Sequence, residues 1–211
     1  MKNLNASNFP DDLLYMCWLK FSSLLNNNYM YKLSGGISFS FRFRKEHFAH
    51  LIGLHKLEDI PLCNSLNDKT KHGIADIIYR KVKSKSADIS YSVISSSKYF
   101  SQIEDRVTYF LNIDDVLFSN IIINFDKSKI NSTLKSNMIL YTYFNSKILH
   151  LCIYNYNKLC YPESFFARND RYYIKNQTQR TVTEISIQNF KTKDNTTYSF
   201  DSSGNIKELV H

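Results

Sequence analysis

Near residue 120 the apolar periodicity of the chain changes, and that change constrains the fold more than any other feature. On the N-terminal side the spacing is helical. DDLLYMCWLKFSSLLNNN (11–28) puts Leu14, Trp18, Phe21 and Leu25 on one helical face, with Asp11 and Asp12 where the helix dipole favours acids. KTKHGIADIIYRKVKS (69–84) spaces Ile74, Ile77, Ile78 and Val82 for one face. SSSKYFSQIEDRVTYFLNIDDVLF (95–118) opens on a serine cap and repeats Phe100, Ile103, Val107, Phe110 and Leu111 at helical intervals. Beyond it the period falls to two, and 121–125, 137–144, 147–155, 163–168, 172–176 and 181–190 all read as strands. Asn145-Ser146 makes a short hairpin turn, and 195–210 offers either a small hairpin about Asp201–Gly204 or a loose tail.

Helices followed by strands, without β-α-β alternation, predict an α+β fold: N-terminal helices, then an antiparallel β-sheet of about four to six strands. There is no internal repeat, and three prolines and five glycines leave no linker. One domain is therefore expected, with an N-terminal helix over 1–28, a main body over 29–190 and a C-terminal hairpin or tail over 191–211.

The 211 residues suffice for a full core, and 43% hydrophobic against 22% charged residues describes a globular protein. A net charge of +8 favours a polyanionic partner through counterion release, with generic solubility as the competing explanation. The four cysteines form no C-x-x-C pair and read as reduced, mostly buried thiols. No run approaches the roughly 18 apolar residues of a membrane helix, and MKNLNASNFPDD lacks a signal-peptide core. A cytoplasmic location without membrane contact is the expectation.

Phosphate-loop, dinucleotide-binding, nucleophile-elbow and H-E-x-x-H motifs are all missing, and no carboxylates are spaced to hold a metal pair. The chemistry-bearing candidates lie elsewhere. ISFSFRFRKEHFAHLIGLHKL (37–57) alternates like a strand and then carries His47, His50 and His55 with Lys56. On a helix starting near Lys45, Phe48, Leu51 and Ile52 point inward while His47 and His50 share a neighbouring face; a histidine so placed is either packing or chemistry. Gly53 ends that helix, and a loop after it presents His55 and Lys56. Arg106 either pairs locally with Glu104 and Asp105 or binds phosphate. Ser164 is a strand-entry hydroxyl or a donor to a phosphate oxygen. Arg168, Arg171, Lys175 and Arg180, interleaved with Tyr172 and Tyr173, suit single-stranded nucleic acid or a solvated sheet face.

FRFRKEHFAHLIGLHKL resembles the F-x-H-L-x-G-L-x-K-L signature of a phage-associated nuclease family, the fourth type in the barnase–EndoU–colicin–RelE-like (BECR) group. SKYFSQIEDRVTYF resembles that family's S-x-x-F-x-x-I-x-x-R helix, and YPESFFARNDRYY its P-x-S-F-F strand. The resemblance spans roughly 30–190. It implies helices before an antiparallel four-stranded sheet, and metal-independent RNA cleavage without a cofactor. Carried onto this chain, it assigns His50, Lys56, Arg106 and Ser164 to catalysis. The basic-aromatic surface and the loop after Gly53 add His55, Arg168, Arg171, Tyr172 and Lys175 as the residues expected along the substrate. RNA, single-stranded or structured, is the expected partner, and whether an antitoxin or immunity protein also binds is left open by the sequence. Two rivals stand beside an endoribonuclease: a binding module without catalysis, and a defence or counter-defence factor acting through protein contacts.

Overall fold

The computed structural model describes residues 12–156, 159–201 and 203–209. Asp11, the segment MKNLNASNFPD and the last two residues lie outside the described residues. Helix α1 (Leu13–Leu24) buries Leu14, Trp18 and Phe21, as its spacing requires. Strands β1 (Asn27–Leu33) and β2 (Ser38–Arg42) follow as an antiparallel hairpin. Its turn holds Gly35 and Gly36 at φ 85 and 77, left-handed values that glycine adopts without a Cβ penalty. In β2 the alternation works as read: Phe39 and Phe41 are buried while Ser38, Ser40 and Arg42 face out.

Six short helices come next: α2 (His47–Leu51), α3 (Pro61–Asn64), α4 (Ile74–Lys83), α5 (Tyr91–Ser95), α6 (Glu104–Tyr109) and α7 (Ile113–Leu117). The single helix expected over 95–118 is broken. Two 3₁₀ turns, Phe100–Gln102 and Phe110–Asn112, interrupt it, and Ile103 sits at φ −124. Each break re-aims the apolar stripe, so Ile103, Val107, Phe110, Ile113 and Leu117 all reach the same core.

Strands β3 (Ile121–Asn124), β4 (Met138–Phe144), β5 (Lys147–Tyr156), β6 (Leu159–Arg168), β7 (Thr178–Asn189), β8 (Asn195–Phe200) and β9 (Ile206–Leu209) complete a sheet of nine in the order β1-β2-β6-β5-β4-β3-β7-β8-β9. Strand β1 also pairs with β7, from Asn27↔Asn189 to Leu33↔Val182, so seven strands close into a barrel. The barrel is mixed, because β2 and β6 run parallel where Phe41 meets Cys160. Strands β8 and β9 extend β7 beyond the barrel.

This overturns the expected antiparallel sheet of four to six strands behind N-terminal helices. Two strands precede six of the seven helices, and closure depends on pairings that periodicity cannot report. Alternation names a strand's two faces; it says nothing of its neighbours. The expected strand over 172–176 is also absent. It is a turn in which Ile174 and Lys175 both donate backbone N–H to the Arg171 carbonyl (3.0 and 2.8 Å), ending on Asn176 at φ 63.

Inner strand faces and helices share the main core, where Phe21, Tyr31, Phe41, Phe43, Phe48, Phe110 and Phe165 are fully enclosed. A second core lies on the opposite face of β3–β6, built from Ile123, Ile139, Ile148, Cys152 and Phe166 and covered by Ile174. That cover explains why an apolar residue belongs in the 171–176 turn. No helix among the described residues is long and apolar enough to cross a membrane.

Candidate active site

The segment 45–57 forms its site by local rules. Helix α2 buries Phe48, Ala49 and Leu51 on one side, which leaves His50 exposed on the other. Gly53 at φ 84 stops the helix, and a 3₁₀ turn (Leu54–Lys56) brings His55 back beside His50, with ring centroids 5.2 Å apart. Gly53 is required twice over. A Cβ there would stand 2.8 Å from both the Arg106 Cδ and the Ile103 Cγ2, so only a bare backbone lets α6 lay Arg106 across the end of α2.

Arg106 then reaches β6. Its guanidinium donates to the Ser164 Oγ at 2.9 Å and to the Leu51 carbonyl at 3.5 Å. Among the described residues it makes no ion pair; neighbouring Asp105 pairs instead with Lys147 at 2.8 Å. The local ion pair that would have made Arg106 structural is therefore not formed.

Strand β6 supplies the far wall. Ser164, Phe166 and Arg168 alternate toward the cleft while Phe165 packs in the main core. The register slips between Cys152↔Ser164 and Ile153↔Pro162, leaving Glu163 without a partner on β5. Such a bulge re-aims side chains, and here it lets Glu163 and Ser164 face the cleft together although they are adjacent. Glu163 accepts from the backbone N–H of Lys135 (3.1 Å) and of Ser136 (2.6 Å), and from the Ser136 hydroxyl. It thus anchors the 126–137 loop, whose Thr133 and Leu134 line the cleft.

The cleft has a volume of about 460 Å³ and collects His50, His55, Lys56, Arg106, Ser164 and Arg168, with Phe166 and Tyr173 as aromatic lining. Arg168 is committed in part to Asp170, through contacts of 2.8 and 2.6 Å. Arg171, Tyr172 and Lys175 do not line it. They sit exposed on the adjoining 171–176 turn, where the Tyr172 hydroxyl donates to the Asn131 carbonyl at 2.8 Å. His47 is also elsewhere: its Nδ1 accepts from the Arg44 N–H at 3.2 Å, and its ring lies 6.2 Å from Tyr161. Glu163, Gln102 and Asp105 also line the cleft, with Ser101 and Ala167. Glu163 left no periodic signal, because a bulge breaks the alternation that would have revealed it.

Burial dominates the electrostatics. Protein crowds His50 on all but its exposed edge and lowers its pKa below the usual imidazole value. His55 is pushed down to about 4, first by burial and then by His50, Arg106 and Lys56, and its Nδ1 has no hydrogen-bond partner. Burial, with help from Arg106, also lowers Lys56. Both imidazoles are therefore neutral near pH 7, able to take up a proton, beside a guanidinium with no counter-anion. No group of three or more His, Cys, Asp or Glu among the described residues is arranged to hold a metal ion.

The geometry gathers two neutral imidazoles, a lysine, a guanidinium and a serine hydroxyl in one cleft. Compared with protein-family models, residues 13–204 match the family described as phage-Barnase-EndoU-ColicinE5/D-RelE like nuclease4. The match covers most of the chain, and the chain belongs to this phage-associated nuclease family, whose substrate is nucleic acid. No curated protein and no solved structure matches it.

Proposed function

We propose that the protein is a metal-independent endoribonuclease, with the cleft between α2, α6 and β6 as its active site. One observation carries the reading: Arg106, a guanidinium without an ion pair, is held by Ser164 beside two neutral imidazoles and Lys56 in one cavity. RNA brings its own nucleophile, so the protein needs only proton carriers and positive charge. His50 takes the proton from the 2′-hydroxyl, whose oxygen attacks phosphorus. The P–O5′ bond breaks, and the His50–His55 pair returns a proton to the leaving 5′-oxygen. Lys56 and Arg106 offset the charge on the phosphorane. Ser164 accepts from Arg106, which leaves its hydroxyl hydrogen for a non-bridging oxygen. The products are a 2′,3′-cyclic phosphate and a free 5′-hydroxyl.

Arg168, Arg171, Tyr172 and Lys175 lie on the side of the cleft where the RNA strand would leave it. Four free cysteines suit a reducing cytoplasm, where such a substrate is found. A toxin-like activity with an antitoxin or immunity partner is part of this reading, supported by the family's phage association. The test is cleavage of mixed RNAs by purified protein with and without a chelator. We expect chelator-resistant cleavage that His50→Ala reduces by at least about 100-fold, the scale of one lost acid–base group. RNA left intact, or cleaved equally by the variant, overturns the reading.

A further inference from the structure

His55, Lys56 and Gln102 line a second depression as well as the catalytic cleft. It measures about 570 Å³, and its remaining walls are Glu58, Asn64, Asn67 and Tyr99. A third, of about 490 Å³, continues the path from Asn64 and Asn67 to Lys71. The shared residues make one groove, with the cationic centre at one end and amide and carboxylate groups beyond it. Neither Arg168 nor the 171–176 turn lines these two depressions.

The chemistry of the second depression differs from that of the first. Glu58 forms no ion pair among the described residues, and no side-chain hydrogen bond engages Glu58, Asn64, Gln102 or the Tyr99 hydroxyl. Asn67 is different: its amide donates to the His55 carbonyl at 2.8 Å, tying the depression to the catalytic turn while its carbonyl oxygen stays open. Asp59, the neighbouring acid, is held on the other side by Ser97 and by the Lys98 N–H. Beyond His55 and Lys56 at the junction, the cavity is lined by an aromatic ring, three amides and a carboxylate, which have little to offer a phosphate. Those groups are what a nucleobase requires: donors and acceptors for its edge, and a ring to stack on, although the Lys98 ammonium lies over the Tyr99 ring at 4.9 Å from its centroid.

We propose that this depression is a nucleobase-reading subsite, in which Tyr99 stacks against the base next to the scissile phosphate while Glu58, Asn64 and Gln102 read its edge. The inference rests on the nucleic-acid-cleaving reading of the adjoining cleft. Because His55 and Lys56 stand at the junction, a base seated there places its own phosphate at the catalytic groups. Discrimination then comes from this end of the groove, whereas Arg168 and the 171–176 turn hold the backbone without regard to sequence. Glu58 needs a base N–H opposite it, so exchanging the carboxylate for an amide should change which base is preferred.

The experiment has two arms. The first maps cleavage positions on a random-sequence RNA for wild type, Glu58→Gln, Asn64→Ala and Tyr99→Ala. We expect a preference at one position beside the cut. Glu58→Gln should shift it, Asn64→Ala should flatten it, and Tyr99→Ala should lower cleavage about tenfold or more, the scale of one lost base stack. The second arm measures binding of short oligonucleotides, differing at one base, to the His50→Ala protein and to the same protein carrying Glu58→Gln. It expects affinities that depend on that base and a changed order of preference. Cleavage with a preference indifferent to all three variants overturns the subsite and leaves the nuclease reading standing. Base-dependent binding without wild-type cleavage sinks the nuclease reading and keeps the subsite. Binding independent of the base in the second arm overturns the subsite whether or not RNA is cut.

Discussion

His50 and Arg106 owe their chemistry to what surrounds them. An imidazole whose pKa is lowered by burial is the free base at neutral pH, and remains so until the solution is acidic enough to protonate it. If His50 is the base, kcat/KM falls only as pH drops through that lowered value. The acid limb should therefore have its midpoint below 6.5, the unperturbed imidazole value. A pH–rate profile of the wild-type protein measures this directly. An acid limb centred above 6.5 would mean that another group carries the proton. Arg106 could not be placed from its sequence neighbours, since Glu104 and Asp105 offered an ion pair. Only the fold shows that Asp105 turns to Lys147 and leaves the guanidinium to Ser164.

At the scale of elements, the turn after α2 does the positioning. Gly53→Ala must place a Cβ at φ 84 and push against Arg106 and Ile103, both at 2.8 Å. We expect a stability loss of about 2–4 kcal/mol from left-handed strain and overpacking, with a displaced Arg106 and lower activity. Gly36→Ala is the control: its φ is 77 but nothing lies within 4 Å of an added Cβ, so only the strain of about 1–2 kcal/mol applies. Denaturant melts of the two variants that gave equal losses would contradict the packing argument. Much of this element was legible in advance. Alternation in 38–42, the apolar spacing of Phe48 and Leu51, and a glycine before His55 gave the strand, the helix and its end. The bulge at Glu163 and the turn at 171–176 were not legible, because both come from tertiary contacts. Glu163 holds a loop 27 residues away, and Ile174 covers a core made by other strands.

For the molecule as a whole, the barrel brings residues 50, 106 and 164 together, yet no segment of sequence encodes its closure. It depends on β1 lying between β2 and β7, and on a parallel contact of β2 with β6. The net charge of +8 left a polyanionic partner and plain solubility level, and salt separates them. If cleft cations neutralise phosphates, RNA affinity falls linearly on a log–log salt scale, and Lys56→Ala flattens the slope by about 0.7. Salt-independent binding would return the charge to solubility. The central claim is sharper than affinity, because the proposed chemistry routes through the 2′-oxygen of the substrate. Its most direct test is one oligonucleotide containing a preferred cleavage position, compared with the same strand carrying a single 2′-deoxy substitution there, both in chelator. The nuclease reading predicts a 2′,3′-cyclic phosphate end from the first and no cut at the substituted position in the second. Equal cleavage of both strands would contradict it.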